Sequence, residues 1–462
     1  MSNARTLKCI SPVDGSLVAE RPLLTRKQAE AAVARARGAQ AEWAARPLAE
    51  RIDLVLQGVE NVGKMNDEIV PELAWQMGRP VRYGGEFAGF RERAGYMAEI
   101  AEEALAPIRI EDSGNFRRYI AREPHGLVLV IAPWNYPYMT AINTVAPALI
   151  AGNAVMLKHA SQTPLVGERM ARAFHEAGIP EDVFANVFLD HDTTSGLIAD
   201  KAFGFINFTG SVGGGRAIER AAAGTFTPVG LELGGKDPGY VMEDAVLDRA
   251  AETLIDGAMF NSGQCCCGIE RIYVAESLFD DFVERAVKIV SAYRLGNPLD
   301  PETTLGPMAS VRFANAVRAQ IAEAIEKGAR ALIDPALFPQ DDGGAYLMPQ
   351  ILVDVDHSMR VMREESFGPV VGIMKVRNDE EAIELMNDSE FGLTASLWTQ
   401  DIARAERIGR RLETGTVFMN RADYLDPALC WTGCKNTGRG GGLSVIGYHN
   451  LTRPKSYHMK MI

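Results

Sequence analysis

Long apolar runs are absent from this sequence of 462 residues. The longest, such as residues 127–132, fall far short of the roughly 20 residues that a membrane-spanning helix needs. Residues 1–10 also lack the charged start, apolar centre and small-residue cleavage site of a secretory signal. We therefore expect a soluble, cytoplasmic protein that does not enter a membrane.

Positive charge is in deficit, with 48 Lys and Arg residues against 60 Asp and Glu and a formal net charge of -12. This balance provides no excess of positive charge that would attract a polyanion, so nucleic acid is not an expected partner. Cysteine is also scarce: there are six, and Cys265, Cys266 and Cys267 are consecutive. Such spacing makes a poor disulfide framework, and we expect free thiols.

Short apolar segments alternate with helical patterns in the first half of the chain. Residues 26–45 and 48–64 show helical periodicity, and the apolar run at 127–132 precedes a helical pattern at 140–150. The same strand, turn and helix unit recurs, with strands near 154–158, 183–188 and 203–208 and a helix near 165–177. The alternation predicts a parallel, doubly wound sheet.

A second alternating series follows position 233 and predicts a second α/β domain. Its helices are expected near 245–260, 277–292, 311–327 and 401–412, and its strands near 270–274, 369–375 and 415–419. The tail at 452–461 alternates and contains Pro454, which suits an edge strand. An edge strand at a chain end invites pairing with another subunit.

The three consecutive cysteines lie between a predicted helix and a predicted strand, where loops commonly carry active sites. One alternative treats these thiols as small core hydrophobes. A metal site is disfavoured because neighbouring cysteines cannot all face one ion, and because Cys430 and Cys434 lack a second pair or a histidine partner. A nucleophilic cysteine would need a base nearby.

One carboxylate, Glu232, stands in an apolar run that ends in paired glycines and Lys236. Burial in a strand raises the pKa of a carboxyl group and suits it to exchange a proton with a thiol or a water. The alternative is a structural pair between Glu232 and a nearby Arg or Lys. These residues alone leave both interpretations open.

Both segments closely resemble signatures of the aldehyde dehydrogenase superfamily, namely its G-Q-x-C cysteine motif and its L-E-L-G-G-K glutamate motif. The Pro-Trp-Asn-Tyr-Pro turn at 133–137 is similar to the family's P-W-N-[FY]-P. The resemblance covers nearly the whole chain and implies that Cys266 is the nucleophile and Glu232 the general base. It implies that Asn135 and the backbone N–H of Cys266 hold the oxyanion.

The resemblance also implies the architecture, which is α/β with two doubly wound Rossmann-type domains and a small β oligomerisation arm. The expected segments are 1–103 and 125–232 for the dinucleotide-binding domain, 233–440 for the catalytic domain, and 104–124 with 441–462 for the arm. A homodimer or homotetramer is expected.

A nicotinamide cofactor, NAD or NADP, follows from the same resemblance. NAD-preferring members tend to carry Glu where Ser161 stands, because a carboxylate repels a 2'-phosphate. With Ser161 there, and with Lys158 and His159 close in sequence, NADP is expected to be tolerated. The residues that the resemblance assigns to the cofactor are Trp134, Lys158, Ser161, Gly210, Ser211, Gly215, Glu365 and Phe367.

The resemblance places the substrate tunnel along the helix after the Asn turn, around the nucleophile and before the C-terminal arm. Members that act on succinate semialdehyde generally carry Arg at the position of Asn143, and Arg421 is a candidate substitute. An aliphatic or aromatic aldehyde suits a pocket rimmed by Tyr and Trp, whereas Asp423 and Asp426 would suit an amino-aldehyde. The expected substrate residues are Tyr136, Thr140, Asn143, Cys265, Cys267, Arg421, Tyr424, Leu425 and Trp431.

The expected activity is oxidation of a small-molecule aldehyde to a carboxylic acid through a thiohemiacetal and a thioester on Cys266, with no metal. A succinate-semialdehyde type dehydrogenase is the nearest alternative, and a silent dinucleotide-binding relative is a second. Oxidation of the Cys265–Cys267 cluster as a redox sensor would be compatible with the enzyme.

Overall fold

A computed structural model describes residues 5–462 of the chain, so the first four residues of the predicted dinucleotide-binding domain lie outside the described residues. The helices are α1 (Arg26–Ala45), α2 (Leu48–Lys64), α3 (Asn66–Met77), α4 (Phe87–Glu99), α5 (Ala101–Leu105), α6 (Pro137–Ile150), α7 (Pro164–Glu176), α8 (His191–Ala199), α9 (Val212–Ala222), α10 (Leu247–Met259), α11 (Phe279–Ser291), α12 (Val311–Glu326), α13 (Arg360–Arg363), α14 (Asp379–Asn387), α15 (Ile402–Gly409) and α16 (Ser444–Asn450).

The strands are β1 (Thr6–Ile10), β2 (Leu17–Pro22), β3 (Ile108–Ser113), β4 (Phe116–Pro124), β5 (Leu127–Ala132), β6 (Ala154–His159), β7 (Phe184–Asn186), β8 (Phe205–Thr209), β9 (Val229–Glu232), β10 (Asp237–Val241), β11 (Ile269–Ala275), β12 (Arg330–Ala331), β13 (Gln350–Val353), β14 (Val370–Val376), β15 (Phe391–Gly392), β16 (Thr394–Trp398), β17 (Thr416–Met419), β18 (Cys434–Lys435), β19 (Gly438–Arg439) and β20 (Thr452–Lys460).

The first sheet has six strands, in the order β19-β9-β8-β5-β6-β7. Every residue of β5 is buried, which explains its unbroken apolar sequence. Leu127, Leu129 and Ile131 pack towards α1, α8 and α9, whereas Val128 and Val130 pack towards α2, α6 and α7. Helices on both faces and parallel pairing of β5 with β6 and β8 make this sheet doubly wound.

A seven-stranded sheet follows, in the order β12-β13-β14-β11-β10-β16-β17. Its strands are parallel except for β12, which pairs antiparallel with β13. A third sheet, β20-β4-β3, is antiparallel, and β20 lies at its edge beside β4. The predicted α/β class with parallel sheets is therefore confirmed.

Sequence patterns predicted several elements to within a few residues and missed others. Helix α6 begins at Pro137 rather than near residue 140, because proline at the first helical position is favourable. Helix α3 was not predicted; it contains Pro71. The domain boundaries stay a prediction, although β19, inside the predicted catalytic segment, pairs with β9 of the first sheet. Among residues 5–462, no helix is long and apolar enough to cross a membrane.

Candidate active site

The cysteine loop follows α10 and has an unusual backbone. Asn261, Ser262 and Gly263 all have positive φ, at 54°, 56° and 70°. A side chain at Gly263 would also collide with the carbonyl of Gly368. The G-Q-x-C motif therefore needs its glycine both for conformation and for space.

The three cysteine sulfurs converge at the end of this loop, within 4.8 Å of one another. These neighbouring cysteines therefore do face one point, contrary to the expectation that they cannot. Cys265 and Cys267 Sγ donate to Asp423 Oδ1 at 3.1 and 2.9 Å, which gives the flanking thiols a defined acceptor. Hydrogen bonding within the triplet lowers the pKa of Cys266 and raises the pKa values of Cys265 and Cys267. Cys266 is therefore the thiol most readily ionised.

Glu232 ends strand β9 and lines the same cavity as Cys266. Burial, followed by the charge of Cys266, raises the pKa of Glu232 to about 7, in line with the expectation from its strand. Thr209 Oγ1 donates to its Oε2 at 3.4 Å. Glu232 forms no ion pair with any of residues 5–462, which disfavours the alternative of a structural salt bridge.

The turn after Glu232 packs directly against the cysteine loop. A side chain at Gly235 would collide with the carbonyl oxygen of Cys266. The paired glycines of the glutamate motif therefore permit the approach that puts Glu232 and Cys266 on one cavity.

Asn135 is buried in the turn between β5 and α6, where its Nδ2 donates to the carbonyl of Gln264 at 3.3 Å. The carbonyl of Asn135 accepts from Arg79 Nη2 and, at 3.3 Å, from Asn261 Nδ2. Arg79 in turn forms a buried ion pair of 2.6 Å with Glu86. Sequence analysis did not identify this pair, which fixes the Asn turn to the cysteine loop.

A cavity of about 340 Å³ opens onto Cys266 and Glu232. Eight of the nine expected substrate residues line it, namely Tyr136, Thr140, Asn143, Cys265, Cys267, Tyr424, Leu425 and Trp431. The ninth expectation needs correction: Arg421 is exposed, does not line the cavity and places its guanidinium 3.5 Å from the centre of the Tyr424 ring. A different cation, Arg93 of α4, lines the cavity instead.

Arg93 is not part of a sequence motif, but the helical periodicity of α4 indicates that its position is unusual for a charged residue. Phe90, Ala94 and Met97 form the buried face of α4, and Arg93 lies on that face. A charged residue on the apolar stripe of a helix is a candidate for function or for a buried pair.

The two acidic residues that would suit an amino-aldehyde, Asp423 and Asp426, accept hydrogen bonds from other groups of the protein. Asp423 accepts hydrogen bonds from both flanking thiols, and burial raises its pKa. Asp426 Oδ1 accepts from the backbone N–H of Ala428 at 2.9 Å, and Asp426 does not line the cavity. The amino-aldehyde interpretation therefore has no support here.

The expected phosphate-binding turn has the predicted strand, turn and helix arrangement. Ser211 caps α9 by accepting from the N–H of Gly214 at 3.2 Å. Gly210 precedes the cap and Gly215 is buried in the first turn, while Gly213 is exposed with open space beside it. An open, capped helix N-terminus fits a phosphate group.

The adenosine end of the expected cofactor site contains one available cation. Lys158 is the penultimate residue of β6, and Ser161 is exposed three residues later. His159 requires a correction, because its buried ring donates from Nε2 to Pro137 O and accepts at Nδ1 from Ala160 N. Burial lowers the pKa of His159 to about 4, so this neutral ring provides no charge for a 2'-phosphate.

The expected nicotinamide end of the cofactor site, around Glu365 and Phe367, is organised by a buried carboxylate, Glu270. Its two oxygens accept from the backbone N–H groups of Ser366 and Phe367, both at 2.8 Å, and Lys236 Nζ pairs with it at 2.6 Å. The neighbouring Glu365 accepts from Gly235 N at 3.1 Å. Burial raises the pKa of Glu365 to about 8.

Trp134 lies among aromatic rings next to this segment. It stacks on Phe313 at 5.3 Å between ring centroids and meets Phe367 edge-on at 5.6 Å. Phe313 was not identified from the sequence. Of the eight residues assigned to the cofactor, six lie in the turns that follow β5, β6, β8 and α13, whereas Lys158 lies in β6 and Gly215 in the first turn of α9.

Comparison with known proteins gives full-length matches. The model of the family described as "Aldehyde dehydrogenase family" matches residues 1–457. Succinate-semialdehyde dehydrogenase [NADP(+)] of Deinococcus radiodurans is 33% identical over 452 residues, covering 98% of this chain and 94% of that protein. Vanillin dehydrogenase of Pseudomonas fluorescens is 35% identical over 463 residues, with the same coverages of 98% and 94%.

Solved structures match equally well in length. The succinic semialdehyde dehydrogenase of Streptococcus pyogenes, solved in complex with NADP+, has a TM-score of 0.93 at 29% identity. The match covers 98% of this chain and 100% of that chain.

The glycine of the cysteine loop provides the first test. Gly263→Ala should cost about 2 kcal/mol or more, because it combines positive φ with a backbone collision. We expect a lower thermal unfolding midpoint and loss of activity. Gly38→Ala is the matched control, since Gly38 lies inside α1 with open space beside it and alanine there should stabilise by up to about 1 kcal/mol. Equal behaviour of the two variants would contradict this account of the loop.

Proposed function

The chain belongs to the aldehyde dehydrogenase family, and from this premise we propose which residues carry out its NAD(P)-dependent oxidation of aldehydes to carboxylic acids. The observation that carries the proposal is that Cys266 and Glu232 line one cavity, with their two segments in close contact at Gly235. Asn135, bonded to the backbone of the same loop, completes the set.

Cys266 acts first, as a thiolate that adds to the aldehyde carbon. The low pKa of this thiol, held by its two neighbours, supplies the nucleophile near neutral pH. The resulting oxyanion lies between an amide N–H of Asn135 and the backbone N–H of Cys266. The Arg79 and Asn261 contacts hold Asn135 in place and so limit reorganisation during the reaction.

The residues assigned to the cofactor fit a nicotinamide dinucleotide. The capped N-terminus of α9 suits its phosphates, Glu365 and Phe367 suit the nicotinamide ribose and ring, and Lys158 suits the adenosine ribose. When bound, this cofactor accepts a hydride from the substrate carbon, which leaves a thioester on Cys266.

Glu232 completes the cycle by taking a proton from the water that hydrolyses the thioester. A pKa of about 7 is close to the optimum for a general base at neutral pH. A catalytically silent relative would be expected to have lost the thiol or the base, and both are present.

The relatives narrow the substrate to two classes. Proteins named for succinate semialdehyde and for vanillin match this chain at 33% and 35% identity. We therefore propose as substrate a small aldehyde, either an aliphatic semialdehyde or an aromatic aldehyde. The cavity rim of Tyr136, Tyr424 and Trp431 accommodates both.

The compartment follows from the thiols. All six cysteines are free, and three of them surround the proposed chemistry. We propose a cytoplasmic location, since a reducing compartment keeps such thiols active. Oxidation of the Cys265–Cys267 cluster as a redox signal stays a hypothesis.

Replacing Glu232 separates acylation from hydrolysis. In Glu232→Gln, steady-state turnover should fall about 100-fold or more, while a burst of reduced cofactor equal to the enzyme concentration remains. In the wild type, kcat should rise tenfold per pH unit below pH 7 and level off above it, because the base acts when deprotonated. Stopped-flow absorbance at 340 nm measures both.

Two further variants control this experiment. Cys266→Ala should lose the burst as well as turnover. Cys434→Ser should keep both, since Cys434 Sγ donates to the carbonyl of Glu413 at 2.9 Å and Cys434 does not line the cavity. A Glu232→Gln enzyme with unchanged turnover and pH profile would eliminate Glu232 as the base.

Ser161 governs the choice between NAD and NADP in our proposal. The exposed hydroxyl of Ser161 does not repel a 2'-phosphate, and Lys158 lies close in sequence. Ser161→Glu should lower kcat/KM for NADP at least tenfold, with NAD affected little, as measured with both cofactors at one aldehyde concentration. A parallel loss with both cofactors would show that Ser161 does not discriminate.

A homo-oligomer is the proposed assembly, formed through two open strand edges. Strand β17 ends the seven-stranded sheet and β20 ends the three-stranded sheet. Val417 of β17 and Met459 of β20 are 40% and 50% exposed, which is unfavourable for a free edge in water. We propose that β20 of one protomer pairs with β17 of its partner.

A charge placed on that edge tests the assembly. Val417→Glu should convert the oligomer into monomers in light scattering after size exclusion, since a carboxylate would be buried between the sheets. Ile325→Glu is the control, because Ile325 is similarly exposed, at 47%, on helix α12. A wild-type monomer, or an unchanged assembly in Val417→Glu, would contradict the proposed interface.

A further inference from the structure

The substrate cavity contains a cation without a carboxylate partner. Arg93 is only 8% exposed and projects from the buried face of α4. Its Nη1 donates to the carbonyl of Met139 at 3.0 Å and to Asn143 Oδ1 at 3.3 Å. No carboxylate among residues 5–462 forms an ion pair with it.

The rest of the guanidinium is available to a ligand. Nε and Nη2 of Arg93 have no hydrogen-bond acceptor among residues 5–462, and neither is a fully enclosed atom. Burial lowers the pKa of Arg93, yet a guanidinium keeps its proton in proteins. A buried, unpaired charge is costly, and an anion that enters the cavity would relieve that cost.

None of the carboxylates around the cavity forms an ion pair with this cation within residues 5–462. Glu92 is exposed and accepts from the Tyr424 hydroxyl at 2.7 Å, so water screens its charge, and desolvation raises the pKa of Asp256. Asp423 is bound by two thiols, and burial raises its pKa, as it does for Glu232. Glu86 and the two thiols of Cys266 and Cys267 also act on the charge of Arg93, but Glu86 is paired with Arg79, and none of the three hydrogen-bonds to Arg93 within residues 5–462.

We propose that Arg93 determines substrate specificity by binding an anionic oxygen that the substrate carries at the end away from its aldehyde. This inference rests on the proposed function of Cys266 and Glu232, which line the same cavity as Arg93. Nε and Nη2 form a planar fork that matches a carboxylate and also accepts a phenolate. The substrate class is thus an aldehyde with a carboxylate or phenolate group.

Asn143 explains how the cation reaches this position. Asn143 stands at the position where members that act on succinate semialdehyde generally carry Arg, and Arg421, the candidate substitute, does not line the cavity. The Asn143 side chain accepts from Arg93 Nη1, so Asn143 orients a guanidinium that comes from the neighbouring helix. The positive charge is therefore delivered from α4 rather than from α6.

A purely structural role for Arg93, as a link between α4 and α6, is the competing explanation. Glu86 already makes a comparable link, because its Oε2 accepts from the N–H of Met139 at 2.7 Å. A link alone would affect charged and neutral substrates equally. An anion-binding role would affect only the charged ones.

Two matched substrate pairs distinguish these roles. The first pair is 4-oxobutanoate and butanal, and the second is 4-formylbenzoate and benzaldehyde. In the wild type, kcat/KM should favour the charged member of at least one pair. Arg93→Met should lower kcat/KM for that member about 100-fold, mainly through KM, and change the neutral member less than threefold. Arg93→Lys should recover part of the loss.

Arg91→Met is the matched control, because Arg91 lies on the same helix with its side chain 65% exposed and paired with Glu60. It should leave both pairs unchanged. A preference confined to the aliphatic pair identifies a semialdehyde substrate, and one confined to the aromatic pair identifies an aromatic acid aldehyde. Equal losses for charged and neutral members, or no preference in the wild type, would overturn the proposal.

A different outcome would contradict the proposed function itself, namely that the folded wild type oxidises none of the four aldehydes. If Arg93→Met does not fold, a second measurement on the wild type tests the proposal. Butanal is the substrate, and inhibition by two carboxylic acids is compared. Succinate should then inhibit at least tenfold more strongly than butyrate, since its second carboxylate reaches Arg93. Equal inhibition by the two acids would overturn the proposal.

Discussion

The contact between the backbone of Gly235 and the carbonyl of Cys266 is the constraint on which this active site depends. Glu232 ends a strand of the six-stranded sheet, and Cys266 precedes a strand of the seven-stranded sheet. Only a residue without a side chain permits the two segments to approach this closely. Because the backbone N–H of Gly235 also donates to Glu365, the same turn positions the proposed base, the proposed nucleophile and the proposed nicotinamide end of the cofactor site.

Three buried carboxyl groups near this contact have different roles, which depend on the partners that each one has. Glu232 and Glu365 are both carboxyls with a raised pKa, yet Glu232 faces the substrate cavity and Glu365 is bonded to a backbone N–H. Glu270 shows the contrasting solution: two backbone N–H groups and Lys236 satisfy it, and it serves to hold the Ser366 and Phe367 segment. Burial makes a carboxylate reactive where partners are few and structural where they are many.

Much of this could be predicted from the sequence, because strong local signals coincide. The fully buried β5 reads as an unbroken apolar run, and the cysteine and glutamate motifs identify residues that do converge on one cavity. The errors share a physical origin. His159 was judged by its nearness in sequence to Lys158, and Arg421 was considered as a replacement cation, whereas their roles depend on which way the side chains face. The convergence of three adjacent sulfurs likewise depends on the positive φ angles that precede them, which composition does not reveal.

Three buried cations of the described residues, Arg79, Lys236 and Arg93, differ in the partners that surround them. Arg79 has Glu86 and Lys236 has Glu270, so each of these cations is compensated inside the protein and serves to fix loops. Arg93 is comparably buried but is bonded only to a carbonyl and an amide oxygen, which carry partial charges. Of these three cations, Arg93 alone has no carboxylate in an ion pair with it among the described residues, so burial of its charge is less fully compensated. A protein that tolerates this cost in its substrate cavity gains an anion-selective site, since a complementary charge on the substrate removes the penalty on binding.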